Sequence, residues 1–155
     1  GVRVPVRPVK GYSITLPASD WPERPRIPVA DDHLHAAVVP IGDSLRVAGT
    51  AEFAGLDTTV RSRRIDNLDK LLRQIYPSFA QRSNGCDRRP WCGLRPMSAD
   101  GVPIIGSTSQ AGLYLNTGHG HLGWTMAAGS GRALADLVVG KEPEIDLSCY
   151  RINRF

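Results

Sequence analysis

Apolar positions recur with two different periods along this chain of 155 residues. Over 61–75, Ile65, Leu68, Leu71, Leu72 and Ile75 fall at helical spacing with charged residues between them, which predicts an amphipathic helix. Tyr76-Pro77 ends it, because the residue before a proline is biased away from helical backbone. Alternation with β-forming side chains predicts a strand over 11–16. A second strand over 33–40 turns at Ile41-Gly42-Asp43 and pairs back as a hairpin with 44–50, continuing through Ala51-Glu52-Phe53. Residues 90–95 read as extended, short strands follow at 103–107 and 112–116, and a helix runs over 121–139, ended by Gly140.

Between these elements the chain is irregular. Residues 1–30 hold six of the twelve prolines, the mark of an extended, turn-rich segment, and 20–32 reads as a long connection. The tail after 143 reads as loop. No internal repeat and no low-complexity segment occurs. A block of strands, one helix, more strands and a final helix make an α+β class, with a mostly antiparallel sheet over 1–90.

Composition narrows the function. An apolar share of 41% is that of a globular protein with a sizeable core. The net charge of +4 comes almost wholly from arginine, since only three of the 19 basic residues are lysine. The arginines are scattered. Their one cluster, Arg61, Arg63 and Arg64, has no interleaved aromatics to stack bases and reads as a solvated helix start, so nucleic acid is not the expected partner. Three loosely spaced cysteines, Cys86, Cys92 and Cys149, do not form a disulfide framework and fit a reducing compartment. No apolar run approaches the ~18–20 residues needed to span a membrane.

Two segments carry candidate chemistry. In Gly93-Leu94-Arg95-Pro96-Met97-Ser98-Ala99-Asp100-Gly101-Val102-Pro103-Ile104-Ile105-Gly106, an arginine precedes a proline, a turn and an apolar strand. Its guanidinium fork suits a carboxylate. In Tyr114-Leu115-Asn116-Thr117-Gly118-His119-Gly120-His121-Leu122-Gly123-Trp124-Thr125, a strand enters a glycine-rich loop that opens a helix. Backbone N–H groups left free at a helix start suit an electron-rich partner. The glycines allow a sharp turn and a close approach of backbone to ligand. The alternatives are an arginine in a structural ion pair and a loop without a ligand.

These residues resemble the C-terminal part of FAD-dependent D-amino-acid dehydrogenases, in a wider group that includes glycine oxidase and D-amino-acid oxidase. The specific match covers 91–140, and Pro8-Val9-Lys10-Gly11-Tyr12-Ser13 extends it weakly toward the N-terminus. The resemblance implies that residues 1–90 are part of a substrate-binding domain. It implies that 91–155 supply the final strands and helix of an FAD-binding domain. It assigns the substrate carboxylate to Arg95 and places His119 in the substrate pocket. It assigns Gly93, Gly120, Leu122, Gly123, Trp124 and Thr125 to the flavin, whose pyrimidine oxygen would face the helix start. FAD is expected to be non-covalent, and no dedicated catalytic base is implied. The expected function is oxidation of the Cα–N bond of D-amino acids to imino acids, which water converts to 2-oxo acids and ammonia. A glycine or sarcosine oxidase is the enzymatic alternative, and a carboxylate-binding module without flavin is the non-catalytic one.

Most of the FAD is expected to be held by an N-terminal segment outside this chain, so the chain reads as one portion of a larger enzyme. Gly118-x-Gly120-x-x-Gly123 has the spacing of a dinucleotide fingerprint but lacks the acidic residue about twenty positions on, since Asp136 falls inside the helix. The expected location is cytoplasmic, with peripheral attachment to the inner membrane face and an electron-transfer acceptor there left open. His33-x-His35 and His119-x-His121 would each share a face on a strand, but no further ligand completes a metal set. Glu52 reads as a solvated strand-end carboxylate, and Tyr12 and Trp91 read as core aromatics.

Overall fold

The computed structural model describes residues 1–155 and folds into two compact units, Lys10–Leu94 and Gly1–Val9 with Arg95–Phe155. The α+β class expected from the sequence is found. Seven strands run in order as β1 (Val6–Pro17), β2 (Val29–Asp31), β3 (Ala36–Ile41), β4 (Ser44–Glu52), β5 (Trp91–Ser98), β6 (Ile104–Ser107) and β7 (Tyr114–Thr117). Three α-helices join them: α1 (Ser62–Ile75) and α2 (Pro77–Arg82) after β4, and α3 (Gly123–Val138) after β7. Strands β1 and β5 cross the boundary between the units. No helix is long and apolar enough to cross a membrane.

In Lys10–Leu94 the sheet has the order β2-β3-β4-β1-β5. Antiparallel registers Ile14↔Val47 and Leu16↔Leu45 put apolar side chains of β1 and β4 on one face. Leu68, Leu71 and Leu72 of α1 close over that face and are buried, as the helical spacing requires. Proline at 77 ends α1 as expected but also opens α2, a helix the periodicity missed; proline is favoured at a first helical position, where its missing N–H has no partner to lose. From α2, Phe79 stacks on Trp21 at 4.5 Å between ring centroids, and Tyr76 meets the same indole edge-on at 5.2 Å.

One irregularity redirects a carboxylate. Between the pairs Tyr12↔Gly49 and Lys10↔Glu52, β4 has two residues where β1 has one. The extra residue is Thr50, whose φ of +69° is uncommon outside glycine. Without this bulge, alternation would turn Glu52 outward; the one-residue slip turns it inward. Glu52 is therefore buried rather than solvated. Its Oε2 accepts a 2.6 Å hydrogen bond from the buried Tyr12 hydroxyl. Its Oε1 meets Arg64 at 3.2 Å and Arg61 at 3.3 Å. The basic cluster at the start of α1 is thus partly an ion-pair partner, not a simply solvated face. The Lys10 ammonium, also buried, bonds the Thr59 carbonyl and pairs with Asp57 at 3.4 Å, tying down the 53–61 connection. Hydrogen bonds from Tyr12 and Arg64, together with the two guanidinium charges, hold the Glu52 carboxyl below its ordinary pKa against the opposing effect of burial.

Three expectations are corrected in this unit. The strand expected from residue 33 starts at Ala36; His35 is left-handed at φ +48°, and Leu34 N–H bonds Asp31 Oδ1 in a turn. The shared-face argument for His33 and His35 therefore does not apply. Trp91 is 61% exposed rather than core. Finally, the connection over 20–32 contains the short strand β2, paired with β3.

In the other unit β6 and β7 form an antiparallel pair in the register Ile104↔Thr117 through Ser107↔Tyr114. Ile105, Ala133 of α3 and Leu147 make its core. The tail after 143 is not plain loop: short 3-10 turns occur at Ser148–Tyr150 and Ile152–Arg154. Arg154 clamps the turn between β5 and β6. It donates from Nε to Asp100 Oδ2 at 2.7 Å and from Nη2 to Asp100 Oδ1 at 3.1 Å and the Val102 carbonyl at 2.7 Å.

Candidate functional site

Arg95 sits on β5, with its φ neighbourhood restricted by Pro96. Alternation along the strand puts Arg95 and Met97 on one face of it. Arg95 is half-buried, and that burial pushes its pKa below the ordinary value; a guanidinium titrates so high that it stays charged at any working pH. Gly93, two residues before it, is covered by Trp91: a Cβ at 93 would run into the indole ring.

The glycine loop comes to this strand directly. Met97 and His119 form an antiparallel bridge, so their side chains emerge on the same side, the side of Arg95. Gly118 is left-handed at φ +78°, and a Cβ there would press on Ser98 Cβ at 3.2 Å. Gly120 is left-handed at φ +55°, and a Cβ there would fall on Met97 Sδ. Residues Gly120–Leu122 make a 3-10 turn, in which Leu122 N–H bonds the His119 carbonyl at 3.1 Å. The helix expected from 121 thus begins as α3 at Gly123, one tight turn later.

The start of α3 fits an electron-rich ligand. No side chain caps it, and its first turn carries no acidic residue. Its first N–H groups and the positive end of its dipole are therefore not neutralised by the chain's own carboxylates. Leu122, Trp124 and Thr125 are exposed, Trp124 at 96%, and Gly123 is helical at φ −55° and ψ −43°. Glycine at 123, where a Cβ would meet only His119, leaves the backbone bare where a flat ring would approach, so the residues present fit a flavin.

His119 completes the set. It is half-buried, its Nε2 is buried without a hydrogen-bond partner, and burial lowers its pKa. That burial favours the uncharged imidazole. His121 lies exposed on the 3-10 turn and does not join it. No three His, Cys, Asp or Glu side chains come together as a metal site. The loop is a strand–loop–helix, but β7 pairs antiparallel with β6, unlike the parallel strands of the βαβ unit in a dinucleotide fold.

The sequence named Arg95, His119 and the turn residues. It missed Met97 and Ser98, for which periodicity carries no signal; Ser98 Oγ is buried without a partner beneath Gly118.

The family described as FAD dependent oxidoreductase matches residues 1–137. Among curated proteins, a D-amino acid dehydrogenase of Bradyrhizobium diazoefficiens is 45% identical over 155 residues, all of this chain and 36% of that protein. A D-amino acid dehydrogenase of Methylobacterium nodulans is 50% identical over 157 positions, 97% of this chain and 36% of that protein. The chain thus spans about a third of the length of these relatives. Among solved structures, glycine oxidase from Geobacillus kaustophilus superposes with a TM-score of 0.86 at 26% identity, over all of this chain and 41% of that one. Iminodiacetate oxidase from Chelativorans sp. gives 0.80 at 29% identity, over 97% and 41%.

Proposed function

The chain belongs to the family of FAD-dependent oxidoreductases, and from that premise we propose that it is the arginine-bearing portion of an FAD-dependent D-amino-acid dehydrogenase. One observation carries this reading: the Met97–His119 bridge brings an arginine on a strand and an uncapped, glycine-lined helix start into one piece of structure. Relatives at 44–50% identity are named D-amino acid dehydrogenases, whereas the glycine oxidase likeness stands at 26%, which favours the dehydrogenase over a glycine-oxidase-like enzyme.

In this reading Arg95 holds the substrate carboxylate with two parallel hydrogen bonds and so orients Cα. His119 lies beside the substrate, and in its uncharged form adds no charge to compete with Arg95 for the carboxylate. Gly93, Gly120, Leu122, Gly123, Trp124 and Thr125 line the cofactor. The amides and positive dipole end of α3 favour negative charge on the group they face. FAD, when bound, supplies the two-electron acceptor for the chemistry. The substrate gives up a hydride from Cα and a proton from nitrogen, and the resulting imine is hydrolysed to a 2-oxo acid and ammonia. Residues 1–90 belong to the substrate-binding domain and 91–155 to the FAD-binding domain, with most FAD contacts supplied from outside these 155 residues. Three free cysteines accord with a reducing, cytoplasmic setting.

The test is the complete protein. It should carry flavin and lose flavin absorbance on anaerobic mixing with D-alanine but not L-alanine. Arg95→Lys should raise KM at least about tenfold, since a charge-assisted hydrogen bond is worth roughly 1.5–3 kcal/mol. A protein without flavin, or one bleached only by glycine or sarcosine, would refute the assignment.

A further inference from the structure

We propose that Met97 is a positioning residue for the reaction: its thioether, packed beneath Gly120, fixes the glycine turn at the start of α3 against the strand that carries Arg95. The inference rests on the reading of Arg95 and the turn given above.

Four observations lead to it. Arg95 and Met97 share a face of β5, separated only by Pro96, whose ring fixes φ and limits how far that short stretch can flex. Met97 is the residue bridged to His119, so the contact between strand and loop is made at this position. The space where Gly120 lacks a side chain is hemmed in by Met97, with Sδ too close to the position of a Cβ to admit one and Cε 3.2 Å from that position. At the neighbouring glycines other residues come nearest: a Cβ at Gly118 would face Ser98, Val6 and Ile104, and one at Gly123 would face His119 at 3.6 Å. Met97 is therefore the side chain on which the turn rests on the Arg95 side. Methionine suits the task because it is unbranched and long enough to reach under a backbone turn.

A consequence distinguishes this role from simple packing. The far end of a methionine is mobile, so a methyl group at Gly120 would push the thioether off the turn and along the face it shares with Arg95. Substrate orientation would then suffer through Met97, and removing Met97 would relieve that part of the damage, leaving only the backbone strain of a side chain at φ +55°.

A double-mutant cycle in the complete flavoprotein tests it. Met97→Ala and Gly120→Ala should each lower kcat/KM for a D-amino acid on the order of tenfold, mostly in kcat, and each should lower bound flavin per polypeptide. The double variant should fall about tenfold, well short of the roughly hundredfold product of independent effects. Met97→Leu, which keeps the volume, should stay within about threefold of wild type in kcat and KM. If Met97→Ala does not accumulate, Met97→Val removes the same Sδ and Cε atoms while suiting a strand and completes the cycle. Losses that multiply, or a Met97→Ala enzyme with wild-type kcat, KM and flavin content, overturn the proposal. A complete protein that holds no flavin defeats the parent reading instead, before any cycle is measured.

Discussion

Gly123 offers a perturbation that separates ligand contact from folding. Its backbone is ordinary helix, φ −55° and ψ −43°, so glycine is not required there for conformational reasons. A Cβ added at 123 meets only His119 Cβ at 3.6 Å, an ordinary van der Waals contact. Alanine at a helical position is favoured over glycine by roughly 0.5–1 kcal/mol, and valine gives part of that back through its restricted χ1. Gly123→Ala and Gly123→Val should therefore leave thermal stability of the apoprotein within about 1 kcal/mol of wild type. The cofactor should respond differently. If the ring of FAD lies against this turn, the new methyl groups stand in its path and displace it by an ångström or so, and misplacement of about 1 Å can lower rates about 10²-fold. The assay is bound flavin per polypeptide and kcat in the complete enzyme, beside Tm of the flavin-free form. Alanine should give a moderate loss and valine a severe one, with Tm nearly flat across the series. A Gly123→Val enzyme with full flavin content and normal kcat would show that the turn does not face the cofactor.

Other outcomes follow from the same geometry. The 155-residue chain alone should bind FAD weakly or not at all, because no βαβ pyrophosphate site is present; a stoichiometric yellow complex surviving desalting would contradict this. Asp100 is held well below the usual carboxylate range by Arg154, so its contribution is present above the unfolded pKa near ~3.9 and is lost as pH falls. Asp100→Asn should lower Tm at pH 7, and the two proteins should converge in acid; a constant difference at every pH would place the effect elsewhere. Tyr12→Phe removes the hydrogen bond that does most to keep Glu52 ionised. Acid unfolding should then begin at a higher pH than in wild type, and an unchanged midpoint would mean that Arg61 and Arg64 suffice.

The local pattern of residues determined much of this protein. Helical spacing of Ile65, Leu68, Leu71, Leu72 and Ile75 specifies α1, because burying one stripe of a helix needs no more than that period. Alternation and a turn at Gly42 specify the β3–β4 hairpin. The arginine before a proline and the glycine run before an apolar helix marked the candidate site, since each depends on backbone chemistry carried by neighbouring residues. What the tertiary structure alone decided lies between segments far apart in sequence. The bulge at Thr50 reversed the facing of Glu52 and turned a surface carboxylate into the buried partner of Tyr12, 40 residues away. Burial of His119, which favours its uncharged imidazole, is likewise a tertiary outcome. The contact of Met97 with Gly120 exists only because a bridge joins residues 97 and 119. Periodicity reports which face of an element is buried; it does not report which distant side chain fills the space that a glycine leaves.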